Sequence, residues 1–279
     1  MICIFCKNDS SASKSVEHVV PQSMGNLEHT LPAGIVCDRC NTYFGQKVEK
    51  PLMETPYFRD LCFRARIKNK KGNPPRVLGL HLQSLTTVQI FPDMNGYGVS
   101  IAAANQNDER RWIQSIVSSS SGTVIVPMQR EPNQLLLSRF LAKVAMEALA
   151  LRLMDVPGGL QEIVDKRELD PLREYVCKGG PPKFWPYHER RLYPQDFLFY
   201  ESRYGYYELL HEWTLLYTDT HELYLILALF GVEYAINLGG PEIDGFKRWL
   251  AINSGQSPLY PKGITNPSQT CTESGDQST

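Results

Sequence analysis

Apolar residues recur at helical spacing most clearly over residues 138–153, where Phe140, Leu141, Val144, Ala145, Ala148 and Leu151 share one broad face. Pro157 and the two glycines after it close that segment. Residues 161–177 keep the helical period but are interrupted at Pro171, which predicts a second helix or a helix pair. Elsewhere the period shortens. Residues 77–82 and 87–91 read as strands, residues 93–98 supply turn chemistry, and residues 99–101 complete a hairpin. Residues 123–126 give one more short strand, and the runs 213–217 and 223–230 are strands rich in aromatics. Near the front, the pattern is poorer. It allows a β-prone run around residues 15–20 and a short helix over residues 42–50 that stops before Pro51.

These patterns divide the chain into residues 1–61, a basic turn-rich linker over 62–76, a mixed α/β domain of unassigned fold over 77–261, and a disordered tail over 262–279. The class is α+β. The net charge of −1 hides an asymmetry: 11 Lys and Arg stand against 7 Asp and Glu up to Gly72, and 18 against 23 beyond it. A basic front end on an acidic body suits local phosphate contact. Lys47, Lys50, Arg64, Arg66, Lys68, Lys70 and Lys71 are the dense candidates for nucleic-acid binding. No leader precedes an apolar core, and residues 223–238 are too short and too polar to span a bilayer, so the chain is read as cytoplasmic, with no membrane partner.

That compartment makes cysteines metal ligands or core residues rather than disulfides. Cys3 and Cys6 form one Cys-x-x-Cys pair, and Cys37 and Cys40 form another. Two tight turns of this kind complete a closed, structural tetrahedral zinc site, which supplies folding free energy to a segment with few core residues. Zinc alone says nothing of catalysis, but what lies between the pairs does. Glu17 directly precedes His18, with Pro21 three residues on. In a strand these neighbours point to opposite faces, so serving one site requires a bend or a site edge that turns them, and Pro21 fits such a departure. Asn41 follows the last zinc cysteine, where the zinc turn would mount it rigidly. Cys62, Cys177 and Cys271 lack such pairing, His81 reads as a core or edge histidine, and His188, His211 and His221 have no partner at ligand spacing. The aromatics between Trp185 and Tyr234 read as packed core.

In this order, Cys-x-x-Cys, Glu-His-x-x-Pro and Cys-x-x-Cys-Asn resemble the HNH endonucleases, most closely the branch with four zinc cysteines. The order is also similar to that of a phage endonuclease that resolves branched DNA. The resemblance covers about the first sixty residues and implies a ββα-metal fold, a hairpin carrying Glu17 and His18 followed by a helix carrying Asn41. It implies a phosphodiester hydrolase with His18 as general base and with Mg²⁺ or Mn²⁺ held by Glu17 and Asn41. The implied partner is DNA, with RNA left open. Double-strand cutting would need a homodimer or two binding events, and the second domain is the candidate for choosing the target or a protein partner. The chain departs from the family in having Glu17 where Asp is common, and no Asn over residues 31–36. His29 or the backbone is the candidate substitute for that missing residue, Asn26 a poorer one, and Glu49 a candidate further ligand. A non-catalytic zinc module that binds nucleic acid or protein, or a nuclease that has lost activity, would keep the four cysteines as well.

Overall fold

The computed structural model describes residues 1–264 apart from 70, 95, 97, 120, 181, 196 and 204. Lys70, Cys271 and most of the expected tail, residues 265–279, lie outside the described residues. Strands β1 (Glu17–His18) and β2 (Thr30–Leu31) form an antiparallel ladder that sets Glu17 opposite Leu31 and His18 opposite Thr30. Helix α1 (Asp38–Phe44) runs through a π-helical turn (Gly45–Glu49) into α2 (Lys50–Met53), and α3 (Pro56–Arg64) follows Thr55. Next come β3 (Val77–His81), β4 (Thr86–Pro92), β5 (Val99–Ala103), α4 (Gln106–Ser118) and β6 (Val124–Ile125). The remainder is α5 (Gln134–Leu153), α6 (Gly159–Asp165), α7 (Asp170–Lys178), β7 (Tyr187–Arg191), β8 (Phe199–Glu201), β9 (Gly205–Tyr207), β10 (His211–Tyr217), β11 (Leu223–Leu229), β12 (Val232–Asn237) and α8 (Asp244–Ile252). The chain is α+β, as its sequence pattern requires.

Two compact units emerge. One comprises residues 1–20, 27–44 and 138–279, the other residues 21–26 and 45–137. The first groups the cysteine-bearing segment with the C-terminal half of the chain, whereas the pattern along the sequence separates that segment at residue 61. The second unit is an antiparallel sheet in the order β5-β4-β3-β6, with α3 against β3 and β4 and with α4 against β4 and β5. Asn105 caps α4 by accepting from the Asp108 amide at 3.0 Å. His81 is buried there, its Nδ1 2.7 Å from Ser84 Oγ and its ring edge-on to Trp112, so it closes the β3–β4 turn.

In the first unit a second antiparallel sheet has the order β10-β11-β12-β7. β12 is buried throughout and β11 nearly so, which is why β11 reads as an unbroken apolar run rather than an alternating one. Phe230 and Gly231 both have positive φ between them, the geometry of a type I′ hairpin. A Cβ on Gly231 would stand 2.5 Å from the Tyr193 carbonyl oxygen, so that position needs glycine twice over. Phe246 and Leu250 of α8 pack on Tyr224, Ile226 and Ala235. Among the described residues no helix is long and apolar enough to cross a membrane.

One position in this sheet works against stability at neutral pH. Burial, and then the charge of Glu233, push the Glu212 carboxyl up to about 7 from its ordinary 4.5. A carboxyl with a raised folded pKa binds more protons folded than unfolded, so stability falls as pH rises from about 4.5 to about 7. Glu212 is half-buried, and solvent screening reduces the effect. Glu212→Gln is expected to raise stability at pH 8 by about 1–2 kcal/mol and leave it unchanged near pH 4, read from melting temperatures of both proteins across that range. Equal melting at pH 8 would contradict the assignment.

Candidate functional site

The two cysteine pairs meet as a single cluster. The Sγ atoms of Cys3, Cys6, Cys37 and Cys40 all lie within 4.8 Å of one another, and Cys6 Sγ is 3.7 Å from Cys37 Sγ. Tetrahedral zinc with bonds of about 2.3 Å requires sulfur–sulfur edges of about 3.8 Å, so the donor set fits the ion. The backbone of each turn points at sulfur. The Cys37 amide donates to Cys3 Sγ and the Cys40 amide to Cys37 Sγ, both at 3.4 Å, and amide donors favour thiolate over thiol. The Ile4 amide donates to the Ile35 carbonyl at 3.1 Å and ties one turn to the other. Cys3 is pulled down to about 4, chiefly by the hydrogen bond with Cys40, and Cys40 is pushed up by the same contact. Thiols packed this closely share charge that a divalent ion neutralises.

The second turn opens directly into α1, which begins at Asp38 and not at residue 42 as the apolar pattern suggests. Asp38 sets that start. Its carboxylate accepts from the Lys14 and Ser15 amides at 3.0 and 2.9 Å and from the Ser15 hydroxyl. These contacts, the hydroxyl first, hold Asp38 below the usual carboxylate range. Nor does the helical path stop before Pro51. The π-helical turn precedes it, and Pro51 falls in the first turn of α2, where its missing N–H leaves no bond unmade. Asn41 lies in the first turn of α1, its amide donating to the Cys37 carbonyl at 2.9 Å. Its side-chain Nδ2 donates to the Val16 carbonyl at 3.3 Å, which sets Asn41 beside the residue preceding Glu17.

Glu17 and His18 diverge as strand neighbours do. Glu17 is buried beside the fully buried Leu31 side of the ladder, and His18 is half-buried. The Val19 amide donates to the His29 carbonyl at 3.1 Å and continues the pairing past the strand end. The ladder is only two residues long on each side.

Residues 3–56 match the family model described as HNH endonuclease. The front of this chain is an HNH module. Comparison with curated proteins and with solved structures gives no match. The HNH module accounts for the hairpin, the helix and the four-cysteine cluster together, and that cluster is compatible with structural zinc. HNH nucleases act on nucleic acid.

Three cations from the C-terminal half of the same compact unit hold the HNH module. Lys143 of α5 lies 2.7 Å from Glu17 Oε1 and 2.8 Å from Glu147 Oε2, and donates to the His18 carbonyl at 3.1 Å. Arg139, one turn earlier, donates to the Tyr43 hydroxyl at 2.9 Å and to the Val176 carbonyl at 2.7 Å. Arg173 of α7 donates to the Ile4 carbonyl, inside the first zinc turn, at 2.8 Å, and also to the Lys166 and Ile163 carbonyls and Asp170. Each of the three elements of the HNH module is thus held by one cation. Arg173→Ala leaves several buried carbonyls without a donor and is expected to destabilise the fold by about 3 kcal/mol, measured by urea unfolding. A loss under about 0.5 kcal/mol would show that water replaces the guanidinium.

None of the three was legible as a site residue. Lys143 and Glu147 are separated by one helical turn within residues 140–150 of α5, a run that is otherwise apolar, and that placement was the available signal. His29 is turned toward the second sheet, its ring edge-on to Trp213 at 5.8 Å and to His211 at 6.4 Å. Cys62 and Cys177 are free thiols that do not belong to the four-sulfur group; burial pushes them up to about 12 and about 11, and the charges of Cys3 and Cys6 add to the rise at Cys177. Glu49, in the π-helical turn, and the buried Asn26 belong to the other compact unit, as do the basic candidates. Lys47, Lys50, Lys68 and Lys71 are exposed. Arg64 is engaged by Asp60 at 2.8 Å, and Arg66 donates to the carbonyls of Asp93 and Gly96 at 3.1 and 2.8 Å.

Proposed function

We propose that the protein is a metal-dependent endonuclease that hydrolyses phosphodiester bonds of DNA, with His18 as general base and one divalent cation held through Glu17 and Asn41. The observation that carries the reading is the contact of Asn41 with the Val16 carbonyl, which sets the helix residue of the motif beside its Glu-His pair within one cysteine-stapled module. A carboxylate and an amide oxygen are hard donors, and they suit Mg²⁺ or Mn²⁺ better than zinc. Lys143 on one oxygen of Glu17 is the outer contact that ligating carboxylates keep. Such a cation, when bound, would neutralise charge on the scissile phosphate and its leaving oxygen. His18 then takes a proton from water as the water oxygen bonds to phosphorus and the bond to the leaving oxygen breaks.

Lys47, Lys50, Arg64, Arg66, Lys68, Lys70 and Lys71 are the proposed phosphate contacts, of which the exposed lysines are the least committed within the protein. One base at one cation cuts one strand, so double-strand cleavage would take a homodimer or two binding events. The test is nicking of supercoiled plasmid by zinc-loaded wild type and His18→Ala, with Mg²⁺ or Mn²⁺ added or withheld. Metal-dependent nicking lost in the folded variant supports the reading. Absence of cleavage on supercoiled, linear, branched and single-stranded DNA passes it to a non-catalytic zinc module that binds nucleic acid or protein.

A further inference from the structure

We infer that Lys143 is a positioning residue for the Glu17–His18 pair, and that α5, far along the chain from the HNH module, is part of the working site. The inference rests on the nuclease reading above and deepens it. An ammonium has three donors. The partners of the Lys143 ammonium include Glu17 Oε1 at 2.7 Å, Glu147 Oε2 at 2.8 Å and the His18 carbonyl, to which it donates at 3.1 Å. The group is therefore anchored in direction as well as in charge, and it touches both members of the pair at once, one through its carboxylate and the other through its backbone.

Stability does not explain this choice. The side chains of Lys143 and Glu147 are fully buried and that of Glu17 is 6% exposed, so all three charges have left water. Around them α5 is apolar, with Phe140, Leu141, Ala142, Val144, Ala145, Met146 and Ala148 all buried. Replacing a buried ion pair by apolar chains of similar volume is often neutral or stabilising, because the desolvation penalty vanishes with the charges. A helix that keeps Lys and Glu at i and i+4 in its buried interior keeps them for what they hold. What they hold is a carboxylate and a backbone carbonyl at a two-residue strand end, where the ladder alone is too short to fix either. Glu147 steadies the ammonium, the ammonium fixes Glu17 Oε1 and the His18 backbone, and the pair is mounted on a twenty-residue helix. A planar guanidinium cannot present three hydrogens to three acceptors around one nitrogen, so arginine is a poor substitute.

The experiment uses the full chain, zinc-loaded, as wild type, Lys143→Arg, Lys143→Met and Lys143→Met/Glu147→Met, with Met146→Leu as a packing control. The double variant is the decisive one. It removes the cation together with one of the carboxylates it neutralised, so it is expected to keep its zinc and to melt no lower than Lys143→Met. Four readouts are taken: melting temperature, Mn²⁺ binding followed by electron paramagnetic resonance, nicking kcat and KM, and NMR signals of the His18 ring and the Asn41 side-chain amide. Positioning predicts that the folded double variant loses about 10–100-fold in Mn²⁺ affinity or in kcat while KM for DNA holds, and that Lys143→Arg does not restore it. It also predicts that the His18 and Asn41 signals move in the double variant and stay in place in Met146→Leu. Mn²⁺ affinity, kcat and NMR signals all at wild-type values in the folded double variant would overturn the inference. If wild type itself neither nicks nor binds Mn²⁺, the nuclease reading fails, and the NMR comparison still decides whether Lys143 sets the pair.

Discussion

Removing zinc is expected to unfold the HNH module rather than silence it. The segment has a thin core, chiefly Ile4, Phe5, Ile35, Val36 and Phe44 around four sulfurs. Structural zinc in such segments contributes an apparent binding free energy of about 10–16 kcal/mol at neutral pH. That is comparable to the whole net stability of a typical domain, about 5–15 kcal/mol, so nothing else in the module can offset its loss. Cys37→Ser should behave like chelation, because Cys37 is one of the four clustered sulfurs, directly precedes α1 and accepts the Cys40 amide. Chelation should also lower the protection of α5 and α7, whose Lys143, Arg139 and Arg173 would lose the groups they hold. Circular dichroism and melting before and after treatment with a zinc chelator, with released metal counted, test this. Unchanged helicity and melting after full zinc release would show that the four thiols are core residues.

His18→Ala is expected to lower kcat by about 10²–10⁴-fold with the fold intact, the span that a positioned general base contributes. His18 is half-buried at a strand end and its main chain, not its side chain, makes the contact with Lys143, so truncation leaves the ladder and that contact in place. Melting should therefore move little. Single-turnover nicking under saturating Mg²⁺ reads the effect. The prediction separates His18 from Asn41, whose truncation also removes the hold on Val16 and should raise the metal concentration needed for half-maximal rate. Activity equal to wild type in a purified, folded His18→Ala protein would place the base elsewhere.

Much of the site could be read from spacing. Two residues between cysteines let both sulfurs of a pair face one point, and two such pairs predict the single cluster that Cys3, Cys6, Cys37 and Cys40 form. The family resemblance implied a hairpin carrying Glu17 and His18 and a helix carrying Asn41, and β1 and α1 hold those residues. The helix start was misjudged because Asp38 is fixed by residues 14 and 15, a contact across more than twenty positions that no periodicity records. The stop at Pro51 was misjudged because a π-helical turn ahead of the proline lets the helical path continue.

The sequence by itself determined the four-cysteine cluster, the Glu-His and Asn motif, and the strong periodic elements α5 and the central strands, because each follows from covalent spacing or from one element's own pattern. Tertiary structure alone decided which distant groups complete the site. The only local mark of Lys143 is its place, with Glu147, in an apolar run, and that mark names no partner. The partner becomes visible only when α5 is packed against the hairpin, 125 positions away in sequence, and a buried ammonium must find acceptors. Burial in the fold, not position in the chain, made that pairing obligatory.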